Sequence, residues 1–237
     1  MNQQHEHVHP PEGACALVHG ESVSRDQVDE VLAAIPVREG WGRGDAPLQG
    51  RGELRDQPPP AGSRNTTLSA ERQRRRWATQ IVVADVLARR ECEERGLKPP
   101  EPPVRALPAV PEADVAGLGS IVAVVLAYSA AARTLLGHLE GRQAIPEAAV
   151  WEYYERNRDR FLTVAALRTG VDPFGDAADA DFLPYEQVKA GIEGELRQAA
   201  GRRAFFSWLD LARADVVYAH GHEHPGDPSH PDHEHRH

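Results

Sequence analysis

Apolar and polar positions along this chain change their period several times, and each change marks an element. Ala14-Cys-Ala-Leu-Val18 is a short apolar run closed by His19 and Gly20, a pattern that predicts a strand and a turn. A helix start follows. Ser24 and Gln27 stand three residues apart, the spacing at which each side chain can satisfy the other's free backbone N–H. Val28, Val31, Leu32 and Ile35 then repeat at helical intervals until Pro36. From 36 to 65 no apolar period survives among the Gly, Pro, Arg and Asp residues, and a mobile loop is expected.

A second helix is predicted from Ser69, a capping residue, to Arg95, with Gly96 as its stop. Its apolar face carries Trp77, Ile81, Ala84 and Ala88, with Val83 and Leu87 beside them. Residues 97–111 are too rich in proline for a helix and read as a link. An alanine-rich third helix is predicted over roughly 112–140. Within it the uncharged run 115–132 reaches the lower length of a membrane span, but its glycines, serines and alanines make it weakly lipophilic. A helix buried in a protein core is the reading adopted, with no membrane partner.

Pro146 and Glu147 suit a first helical turn, and Val150, Trp151, Tyr154 and Phe161 follow near one face. Residues 162–182 read as a short loop. The last helix begins near Pro184 and carries Val188, Ile192, Leu196, Ala199, Phe205, Phe206, Trp208 and Leu209, with an interruption expected near Gly201. Beyond it, 215–219 is β-prone. The fold class predicted is mainly α.

Composition narrows the functions. A net charge of −9 argues against nucleic acid as a partner, since phosphates reward clustered cations. The basic run Arg72, Arg74, Arg75 and Arg76 reads as a solvated helix face. Cys15 and Cys92 are isolated thiols outside any CxxC pair, which suits a reducing compartment. The opening MNQQHEHVHPPEG lacks the basic and apolar blocks of an export signal, so a cytoplasmic location is expected. Glu152 and Glu155 with Arg156 and Arg158 read as surface ion pairs, and His138 as a structural residue. No nucleophile elbow, phosphate loop, dinucleotide fingerprint or HExxH motif occurs, so the reading leans away from an enzyme.

The order of several short motifs carries a resemblance. Leu17-Val-His-Gly-Glu-Ser-Val-Ser24 opens the chain, Tyr153-Tyr-Glu-Arg-Asn-Arg-Asp-Arg-Phe161 follows, and Leu183-Pro-Tyr-Glu-Gln-Val188 leads into a long helix with Trp208-Leu-Asp210. In this the chain resembles the chaperone scaffold of the SurA/PrsA family of parvulin-type foldases, over roughly 14–35 and 145–219. The resemblance implies one helical chaperone domain over 14–219 whose N- and C-terminal strands pair antiparallel. It also implies a protein client held on apolar surface, for which Trp151, Tyr154, Phe205, Phe206 and Trp208 are the candidate contacts. A parvulin domain would be inserted at 162–182, and that slot is several times too short for one. A non-catalytic holder is therefore the leading reading. A peptidyl-prolyl isomerase-related foldase with residual activity, and a metallochaperone or metal-storage protein without a client, remain as alternatives.

The last feature is chemical. Eleven of the twelve histidines lie toward the two ends, and seven fall in the final eighteen residues. His5, His7 and His9 belong to a segment, 1–13, expected to be flexible; His220, His222, His224, His230, His233, His235 and His237 belong to a tail, 220–237, expected to be disordered. Imidazole accepts borderline divalent ions, so Zn, Ni, Co or Cu is the cofactor expected. In an extended segment, i and i+2 imidazoles point to one side, and pairing of the terminal strands would bring the two histidine-rich ends together.

Overall fold

A computed structural model of the chain describes residues 10–34, 63–100, 120–175 and 177–223. The described residues are mainly helical and include one small antiparallel sheet of three strands in the order β2-β1-β3. The strands are β1 (Ala14–Val18), β2 (Glu21–Ser24) and β3 (Val217–Tyr218). The helices are α1 (Arg25–Ala34), α2 (Ser63–Glu94), α3 (Ser120–Tyr128), α4 (Ala130–Gly141), α5 (Glu147–Arg156), α6 (Val164–Thr169) and α7 (Tyr185–Ala212). Two compact units divide these elements, one comprising the described residues up to Arg133 together with those from Asp210, the other Thr134–Leu209.

The first unit begins with a hairpin where a strand and turn alone were expected. Val18 faces Glu21 across a two-residue turn, and His19 and Gly20 both have positive φ, 48° and 89°. That is the type I′ geometry whose twist matches the flanking strands. The Ser24–Gln27 capping box forms: Ser24 N donates to Gln27 Oε1 at 2.8 Å, and Gln27 N to Ser24 Oγ at 3.2 Å. Val28 and Val31 of α1 are buried, as their spacing requires.

Helix α2 is the shaft of this unit. It starts at Ser63, six residues before Ser69, so 63–65 belong to a helix and the rest of the expected 36–65 loop lies outside the described residues apart from these three. It ends on Gly96 at φ 66°, where Leu97 N returns to Cys92 O at 2.8 Å. From Ala78 to Ala88 every residue but Val86 is buried, so the apolar stripe expected from Trp77 to Ala88 is in fact a nearly complete ring. The reason is tertiary: α1, β1, β2 and α3 all pack against α2.

The predicted third helix is two helices. Ser129 breaks the run, its Oγ accepting from Ala132 N at 2.9 Å, while Arg133 Nη1 donates to the carbonyls of Leu126 and Ala127 at 2.6 and 2.9 Å. One side chain caps the start of α4 and the other the end of α3. Among the described residues no single helix is long and apolar enough to cross a membrane. The 97–111 link lies outside the described residues beyond position 100.

In the second unit, Val150, Tyr154, Phe161 and Ile192 form the core between α5 and α7, flanked by Tyr185, Val188 and Leu196. Helix α7 runs through Gly201 without interruption. The glycine allows a close crossing instead: a Cβ there would lie 2.8 Å from Glu140 Cα. Residues 162–182 contain α6, capped by Thr163 Oγ1 on Ala166 N at 3.2 Å and closed by Gly170 at φ 71°, where the sequence predicts only a loop. Leu162, Ala166 and Phe182 give this excursion its own small core, and an antiparallel bridge joins Leu162 to Phe182.

Candidate functional site

The C-terminal segment returns to the start of the chain. Val217 pairs with Leu17 and Tyr218 with Ala16, and Ala219 N donates to Cys15 O at 2.9 Å. Antiparallel pairing of the two terminal strands, which the family resemblance implies, is therefore present. At this junction a polar cluster sits on α2.

Thr79 and Gln80 occupy the buried ring of α2, at 0 and 7 % exposure, and polar groups so placed need partners. The returning segment supplies them. Tyr218 OH donates to Gln80 Oε1 at 3.1 Å, and His222 Nδ1 lies 2.8 Å from Thr79 Oγ1. Thr79 Oγ1 also donates to Arg75 O at 2.9 Å. A hydroxyl has one proton and a carbonyl has none, so both contacts are hydrogen bonds only when Nδ1 carries the imidazole proton.

The residues that hold His222 are themselves fixed. His222 N donates to Ala219 O at 2.9 Å, closing a turn with Gly221 at φ 89°. The buried Glu223 carboxylate accepts from Gly221 N through both oxygens at 2.8 Å. Burial pushes the His222 imidazole below its ordinary range; Glu223 pulls it back, and Arg25, Arg75 and Arg76 push it down again. Arg75 and Arg76 are thus half-buried beside this junction rather than wholly on the solvated face expected of the basic run.

Of the metal ligands named from sequence, His220 and His222 lie in the described residues. They sit in the turn, not in the extended conformation that would set 220 and 222 on one side. His5, His7, His9, His224, His230, His233, His235 and His237 lie outside the described residues. Among the described residues no group of three or more His, Cys, Asp or Glu is placed to hold a metal. Thr79, Gln80, Tyr218 and Glu223 were not singled out from sequence. The signal for the first two was present: adjacent polar residues inside the apolar stretch from Ala78 to Ala88.

The aromatic candidates separate by burial. Tyr154 and Phe205 are core residues, and Tyr154 OH donates to Leu183 O at 2.8 Å. Trp151 is 48 % exposed, edge-on to Tyr185 at 4.7 Å. Phe206 and Trp208 are half-buried, with Trp208 5.3 Å from Phe205. Other apolar side chains in this unit are more open than any of these. Val164 and Leu167 stand one turn apart on α6, and Phe174 lies on the same excursion. The sequence predicts only a short loop over 162–182, with no element to set these side chains on.

Of the acid–base residues named from sequence, Glu152, Glu155 and Arg156 are exposed, whereas Arg158 is half-buried over the Phe182 ring at 4.0 Å. Glu152 and Arg156 lie 2.5 Å apart with both side chains mostly exposed, and Glu155 meets Arg158 at 3.3 Å. Comparison with known proteins finds no matching family model, no similar curated protein and no similar solved structure.

Proposed function

We propose that this chain is a non-catalytic chaperone or assembly factor on a SurA/PrsA-like scaffold, which holds a protein client in the cytoplasm and binds a divalent transition metal through its histidine-rich ends. The observation that carries the reading is the antiparallel pairing of β1 with β3. It is the topology that the resemblance implies, and it puts the residue before β1 and the residue after β3 at the same end of one strand pair.

The exposed rings and aliphatic side chains of the second unit support the holding function. Trp151, Val164, Leu167 and Phe174 offer apolar surface to an unfolded segment, and covering such surface removes it from water. The metal part draws on the histidine count and on the borderline ions imidazole prefers.

The test is suppression of thermal aggregation of a model client by the purified full chain, with and without chelator. Suppression is expected. A chain that leaves aggregation unchanged while taking up metal in fixed ratio would overturn the holder in favour of metal storage. Acceleration of proline-limited refolding would overturn it in favour of an isomerase-related foldase.

A further inference from the structure

Resting on the holding part of that reading, we infer that the excursion over 162–182 is the surface that selects the client, and that it takes segments in which apolar side chains stand beside lysine or arginine. Of the five large apolar side chains that are exposed among the described residues, three lie here: Val164 at 63 %, Leu167 at 60 % and Phe174 at 72 %. Val164 and Leu167, three residues apart on α6, share its outer face, while Ala166 is turned into the small core with Leu162 and Phe182. A surface helix ordinarily turns its large apolar residues inward. Here the order is reversed.

The excursion is held in place before any partner arrives. Its neck is closed by the Leu162–Phe182 bridge, by Thr163 N on Asp181 O at 2.8 Å and by Leu183 N on Phe161 O at 2.7 Å. The Arg158 guanidinium lies over the Phe182 ring at 4.0 Å and reaches Asp179 Oδ1 at 3.4 Å. Further along, Phe174 N donates to Asp172 Oδ1 at 3.0 Å and Gly175 N to Asp172 O at 3.2 Å, which fixes the backbone that carries the exposed ring. A surface ordered in advance loses little conformational freedom on binding.

Charge decides which partner fits. Elsewhere in the second unit acidic and basic side chains balance, eight of each, whereas between 162 and 182 four aspartates stand against Arg168 alone. The acid surplus of the unit thus coincides with its exposed aliphatic and aromatic residues. Two copies meeting through this surface would set like charges together, and anionic lipid or nucleic acid would be repelled. A polypeptide segment that combines apolar side chains with lysine or arginine is favoured by both the apolar surface and the field.

The test uses the purified full chain and three fluorescein-labelled peptides of one length: one built from Leu, Phe and Lys, one with Glu in place of Lys, and one with Ser in place of Leu and Phe. By fluorescence anisotropy the first should bind at least about 10-fold more tightly than either of the others, and raising NaCl from about 50 to about 500 mM should weaken it. The double variant Leu167→Ser/Phe174→Ser should lose about 10-fold or more of that affinity. Asp179→Lys should shrink the preference for Lys over Glu. All three replaced side chains are exposed, and far-UV circular dichroism establishes that the variants fold.

Equal binding of the Lys and Glu peptides, or an unchanged affinity in the double variant, overturns the inference, and the holding reading stands where the natural sequence still suppresses client aggregation. Absence of both peptide binding and suppression overturns both. A dimer seen by light scattering and lost in the double variant overturns the inference in favour of a second copy. Binding to phosphatidylcholine vesicles that is lost in the same variant overturns it in favour of a lipid surface. Should the double variant not fold, an unchanged preference in Asp179→Lys overturns the inference by itself.

Discussion

Two glycines in one helix illustrate how far a single residue's effect depends on its surroundings. Gly201 and Gly191 both lie within α7, where alanine is intrinsically favoured by roughly 1 kcal/mol. At Gly191 a Cβ meets nothing within 4 Å, whereas at Gly201 it runs into Glu140. Gly191→Ala should therefore stabilise the protein by up to about 1 kcal/mol, and Gly201→Ala should destabilise it by about 1–3 kcal/mol through overpacking. Urea midpoints at constant m-value check both signs. The two cysteines make a second case. Cys15 and Cys92 are buried, and burial is the largest cause raising both thiols above the ordinary value of 9.0. In the unfolded chain they ionise first, so stability should fall as pH rises past 9 and through the raised native values. Iodoacetamide at pH 7.5 should modify neither thiol until denaturant is added, as intact mass will record.

At the scale of elements, local signals were read well where partners are close in sequence. The capping box at Ser24 and the Gly96 stop are such cases, since their hydrogen bonds span three to five residues and owe little to the rest of the fold. Elements set by distant packing were read less well. The break at Ser129 was missed because the run from 120 to 140 keeps helical composition throughout, and only the capping bonds of Ser129 and Arg133 divide it. The 162–182 excursion was passed over because its core is three residues gathered from both ends of a loop-like composition. Thr163→Ala removes the cap of α6 and should cost about 1 kcal/mol. Hydrogen exchange will show this as faster exchange confined to α6 and its neighbours, with the α7 amides unchanged.

At the scale of the whole molecule, β3 is the element that closes the first unit. It is only two residues long, yet its segment supplies partners to Thr79 and Gln80 and pairs with β1. Ending the chain at Arg213 should strip both buried polar residues of those partners and leave Cys15 O without its backbone donor. Thr79 keeps its bond to Arg75 O while Gln80 loses its partner, so a loss of about 1–3 kcal/mol is expected from the orphaned amide. A lowered urea midpoint would record it. Trp151→Ala, by contrast, removes a half-exposed ring; melting should change little while suppression of client aggregation falls.

The sequence alone was sufficient for the helical class, the capped ends, the β-propensity of the two terminal segments and the concentration of imidazole at the ends, because period, capping chemistry and composition are properties of neighbours along the chain. Tertiary structure decided which of those features act together. It packed several elements against α2, turned Gly201 from a predicted break into a close contact, and placed Thr79 against His222 across 143 positions. Which polar group is buried, and against what, follows from contacts between segments far apart in the chain, and no local pattern of residues encodes them.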